Sequence, residues 1–120
     1  MRTKDGTVMM ELHPYLMGYL FELDRLHHHK GGEVTITSGS EPGGHAYTSL
    51  HHAIPGCAAD IRNWELVHWS STQQFLDAKI VADDYCRDHP MLQPGDIDVV
   101  HEGVGTPNAH IHAELQPKRR

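Results

Sequence analysis

The chain has 120 residues, 12 of them histidine, with 38% hydrophobic and 22% charged residues and a formal net charge of −6 when histidines are neutral. That length suits one domain, residues 1–120, and is too short for two good cores. Few, scattered cations argue against nucleic acid as a partner, because phosphate binding draws on clustered lysine and arginine. No apolar run nears the roughly 20 residues that cross a bilayer, so membrane insertion is not expected.

The segment "MRTKDGTVMMELHP" has no uninterrupted apolar stretch and no small-residue cleavage site. It is read as lacking a secretion signal, for a soluble protein made in the cytoplasm and released, if at all, by other means. In "PYLMGYLFELDRLHHH", Leu16, Leu20 and Leu23 recur at helical spacing, Pro14 suits a first turn and Gly31-Gly32 a stop. The three histidines at its end suit the negative pole of the helix dipole and fan around the helix, so a three-histidine site there is not expected.

"EVTITSG" alternates apolar and polar residues with β-branched content, the pattern of a strand. Glycines and prolines from 39 to 56 indicate a long loop, and "CAADI" a short strand ending near Asp60. "SSTQQFLDAKIVADDYCRDH" reads as an amphipathic helix with a capping box from Ser71 to Gln74. "QPGD" is a turn, "IDVVHE" a strand, "GVGTPN" a loop and "AHIHAEL" a closing strand. This order predicts a small single α+β domain, with a mostly antiparallel sheet covered by helices. Cys57 and Cys86 are too few for a disulfide framework and are read as buried or half-buried thiols, one bridge being the alternative.

Three places can carry histidine chemistry. His51 or His52 precedes Asp60, and imidazole and carboxylate are both good zinc ligands. His110 and His112 fall on one face of a strand, because side chains alternate with period two, while Ile111 points the other way. Glu102 ends the preceding strand; if the two strands pair, its carboxylate can stand over a metal held by His112 and take a proton from water. Taken singly, each has a plainer reading: surface histidines, the polar face of an edge strand, a solvated glutamate. Trp64 and Trp69 could be core or could edge a substrate groove, core being expected for at least one. His13, His68, His89 and His101 are read as surface or locally hydrogen-bonded residues, with His101 alternating away from Glu102. No G-x-S-x-G or P-loop is present, and neither cysteine has a nucleophile's context.

In order along the chain, these pieces resemble a known group. "TSGSEPGGHAYTSLHHAIPGCAADI" is similar to the zinc motif S-x-H-x-x-G-x-A-x-D of D-alanyl-D-alanine peptidases, phage endolysins of that fold and the hedgehog domain. Ser49, His51, Gly56, Ala58 and Asp60 stand for the motif letters, and "HIHAEL" resembles the group's final strand. The resemblance implies one zinc ion per chain held by His51, Asp60 and His112, with a fourth position for water. Four residues separate His51 from Gly56 and three separate His52 from it, against two in the motif, so His52 is the alternative ligand.

The resemblance further implies Glu102 as general base on a zinc-activated water. His110 would be an auxiliary group at the developing oxyanion, and His45, with Trp64, would line the substrate site. The activity implied is that of a zinc metallopeptidase, a carboxypeptidase or endopeptidase acting on peptidoglycan stem peptides as a monomer. A zinc-containing binding module without catalysis is the alternative.

Overall fold

In a computed structural model of the chain, residues 1–4, 12–38 and 56–116 are described. Their elements run β1 (Arg2–Thr3), α1 (Pro14–His29), β2 (Thr35–Ser38), β3 (Ala58–Arg62), α2 (Ser71–Asp88), β4 (Ile97–Glu102) and β5 (His110–Leu115). The five strands form one sheet in the order β1-β2-β3-β5-β4.

The apolar periodicity of α1 sets the packing. Leu16, Tyr19, Leu20 and Leu23 share one face and are fully buried. They meet Ala78, Ala82, Tyr85 and Cys86 of α2 and the inward residues of the sheet, among them Ile36, Ile61, Val99, Ile111 and Leu115. At Gly18 a Cβ would run into the Tyr85 ring, so this glycine allows the two helices to approach closely. Tyr19, wholly buried, donates its hydroxyl hydrogen to Ala78 O at 3.0 Å. The helices thus cover one face of the sheet.

The mostly antiparallel sheet expected from the sequence needs correction, because the sheet is mixed. The two-residue strand β1 lies parallel to β2, with Arg2 opposite Thr35, and the other pairings are antiparallel. Two residues carry no periodicity from which a strand can be read, and this pairing depends wholly on a distant partner. The α2 cap also shifts by one position. Ser70, not Ser71, accepts from Gln73 N, at 3.1 Å, and Gln74 is buried in the interior instead of closing a capping box. Trp69 is buried and donates its indole hydrogen to Asp77 Oδ2 at 2.8 Å, whereas Trp64 is 59% exposed.

Cys57 and Cys86 are both buried thiols and are not joined in a disulfide. Among the described residues no helix is long and apolar enough to cross a membrane.

Candidate metal centre on the open face of the sheet

The site follows from strand alternation and two registers. β3 pairs with β5 so that Asp60 lies opposite His112 and Arg62 opposite His110. β4 pairs with β5 so that Glu102 lies opposite His110 and Val100 opposite His112. Successive side chains point to opposite faces, so Asp60, Glu102, His110, His112 and Glu114 all stand on the face away from the helices. Their neighbours Ile61, His101, Ile111 and Ala113 point under them toward the core.

The turn between β4 and β5 makes this register possible. Gly103 has φ +66°, and a Cβ there would come 2.9 Å from Asn108 O. Glycine is therefore required both for the backbone conformation and for the closeness of the loop's two ends. Thr106 N donates to Gly103 O at 3.1 Å, and Asn108 N donates to Thr106 Oγ1 at 3.2 Å. The seven residues that separate Glu102 from the next strand thus fold back and set it beside His110.

Asp60, Glu102 and His112 each offer one ligand atom, and these lie within 4.8 Å of one another, a group able to hold a metal ion. Asp60 and His112 are recessed, with side chains 15% and 17% exposed, whereas Glu102 at 48% stands at the rim. His112 Nδ1 is 2.7 Å from Asp60 Oδ1, and its Nε2 is 2.8 Å from Glu114 Oε1. A carboxylate can only accept, so both ring nitrogens carry hydrogen in this arrangement. The hydrogen bond to Asp60 is the main reason the His112 pKa rises to about 9; Glu114 adds to it and burial opposes it.

The same geometry suits a cation. With Glu114 holding Nε2–H, the remaining nitrogen, Nδ1, faces Asp60 and Glu102, and a metal ion there would replace one proton. A carboxylate fixing the far nitrogen of a ligand histidine is the usual support of such sites. Gln116 Nε2 in turn donates to Glu114 Oε2 at 3.0 Å. Three carboxylates around two imidazoles leave an excess of negative charge that a divalent ion would offset.

His110 sits between two acceptors. Its Nδ1 is 3.0 Å from Asn108 O and its Nε2 is 3.1 Å from Glu102 Oε1. The carbonyl must accept, so Nδ1 donates the hydrogen of that bond and the ring is held with Nε2 toward Glu102.

Of the residues singled out in the sequence, Asp60, Glu102, His110 and His112 come together here, while Trp64 stands beyond the end of β3. His45, His51 and His52 lie outside the described residues. His101 turns to the other face, where its Nε2 is 2.6 Å from Asn63 Oδ1 and its ring stacks on Phe75. His27, expected to favour positive charge at the helix end, is instead buried against Trp69, and desolvation pushes its pKa down to about 4. Two residues of this face escaped the sequence reading: Glu114, two after His112, and Arg62, two after Asp60. Continuing the period-two alternation by one step would have put each beside its neighbour.

No family model, curated protein or solved structure matches the chain.

Proposed function

We propose that the protein is a zinc-dependent peptidase acting on an amide bond of a peptide substrate, of the kind found in bacterial cell-wall stem peptides. The observation that carries this reading is the convergence of Asp60, Glu102 and His112 within 4.8 Å on an open sheet face, with His110 bonded to Glu102. The substrate class comes from the motif resemblance, which also supplies the expected hydrolytic chemistry. Asp60 and His112 would hold the zinc together with His51, or His52 in its place. When bound, the ion supplies a Lewis acid that polarises a carbonyl and makes water a stronger acid.

The chain's own residues account for the proton transfers. Glu102, at the rim and open to solvent, takes the proton from the attacking water at Oε1 and returns it to the leaving nitrogen. His110, whose Nε2 lies 3.1 Å from Glu102, would turn an N–H donor to the carbonyl oxygen as that oxygen becomes negative. Asn108 O orients the ring through Nδ1, and Glu114 keeps His112 in the ligand tautomer.

Elemental analysis of the purified chain and of His112→Ala is the first test. About one zinc per chain, lost in the variant, supports the site; no metal in the wild type after zinc is supplied removes the proposal. Cleavage of stem peptides by the wild type and Glu102→Gln follows. Turnover that drops at least about a hundredfold with zinc retained marks Glu102 as the base. Zinc binding without cleavage, indifferent to Glu102→Gln, would favour the binding-module reading.

A further inference from the structure

Arg62 has an unusual place among the described arginines of this acidic chain. Among the described residues, Arg2 pairs with Glu33, Arg25 with Glu22 and Arg87 with Asp84, at 3.8, 3.0 and 2.9 Å. Arg62 has no carboxylate partner there; its guanidinium carbon lies 3.9 Å from the centroid of the exposed Trp64 ring. This cation–π contact leaves the guanidinium edge, with its N–H groups, without a carboxylate among the described residues.

That edge borders a recess of about 250 Å³ lined by Lys4, Thr37, Arg62, Trp64, Asn108 and His110, among others. Among the described residues Lys4 also has no ion pair, and none of those that line the recess is Asp or Glu. His110 belongs both to this recess and to the metal centre, and Arg62 and Asp60 lie two positions apart on one face of β3. By strand geometry Arg62 therefore lies roughly 7 Å along β3 from Asp60, about the span of two residues of extended peptide.

We infer that this recess is a carboxylate-binding subsite, in which Arg62, braced on Trp64, and Lys4 select a peptide bearing a carboxylate next to the bond at the metal centre. A bidentate arginine matches the planar, singly charged carboxylate. The nearby carboxylates of Asp60, Glu102 and Glu114 oppose a second negative charge, which disfavours a phosphate dianion. As a specificity determinant the subsite rests on the peptidase reading above; as an anion site it stands independently.

The test therefore reads binding, on the full chain as purified. The Trp64 indole signal is followed by NMR during titration with N-acetyl-alanine and with its amide. The acid should shift it saturably and the amide should not. Arg62→Gln should weaken the acid roughly tenfold or more, as loss of a charge-assisted hydrogen bond does, with metal content unchanged. Lys4→Gln should weaken it by a smaller factor and serves should the Arg62 variant fail to fold.

N-acetyl-glutamate α-amide separates the two sources of the group. Tighter binding of N-acetyl-alanine identifies a chain end, and tighter binding of the glutamate compound an acidic side chain. Acid and amide shifting the signal alike, or inorganic phosphate outcompeting the acid, would overturn the subsite. So would acid affinity untouched by both variants. A chain that binds the acid through Arg62 but cleaves nothing would sink the peptidase reading alone.

Discussion

Two polar clusters lie on opposite faces of the sheet, and the two are built on opposite principles. Under the helices, Asn63, Ser71, Gln74 and His101 form a network that hydrogen bonds within the protein complete. Asn63 Nδ2 donates to Ser71 O and Gln74 Oε1, its Oδ1 accepts from Ser71 and from His101 Nε2, and Gln74 Nε2 donates to Trp64 O and Trp69 O. On the open face, Asp60, Glu102 and Glu114 crowd around His110 and His112, and the contacts of His112 are satisfied only by a hydrogen on each ring nitrogen or by a cation in place of one. The first cluster is a finished interior and contributes stability. The second stays charged and partly open, which is where exchange of a proton or an ion can take place.

The largest effect that would sharpen this contrast belongs to the inner cluster. Asn63→Leu should cost about 3 kcal/mol in urea denaturation, because it takes from buried Gln74 Oε1 and from half-buried Ser71 and His101 the partner that Asn63 supplies. Metal content should stay at the wild-type level; if it vanished with the fold intact, the two faces would be coupled through β4. Next comes Glu114→Ala on the outer face. Metal affinity by competition with a chelator should fall about 10- to 100-fold with little change in stability, and an unchanged affinity would deny Glu114 its supporting role.

Two histidines then extend the comparison to pH, with opposite signs. His112 has its pKa raised to about 9 by Asp60 and Glu114. In the metal-free chain its contribution to stability is fully present below the unfolded value of about 6.5 and is lost as pH rises through about 9. The urea midpoint should decline over that interval in the wild type and not in His112→Gln; parallel curves would refute the pairing. His27, with its pKa pushed down to about 4 by burial against Trp69, behaves in reverse. Its contribution is present above about pH 6.5 and is lost as pH falls through about 4.

The smallest effect is at the same residue. His27 Nε2 is buried without a hydrogen-bond partner, so His27→Leu should alter neutral-pH stability by less than about 1 kcal/mol while flattening the acid limb. A large loss at neutral pH would show that the ring does more than fill space beside Trp69.

Local chemistry made much of this legible in advance. The spacing of Leu16, Leu20 and Leu23 announced α1, and the alternation in "HIHAEL" put His110 and His112 on one face and Ile111 on the other, because both patterns are properties of a single element. The same logic turned His101 away from Glu102. What lay beyond local pattern was every relation between elements. The parallel partner of Arg2–Thr3, the fold-back at Gly103 that sets Glu102 against His110, the β3–β5 register that sets Asp60 against His112, and the burial of His27 all depend on long-range pairing and packing. Side-chain identity and period fix which face a residue takes within its own strand; which charges then meet, and so whether an imidazole is protonated or neutral, depends on register across strands, and that is a property of the assembled sheet.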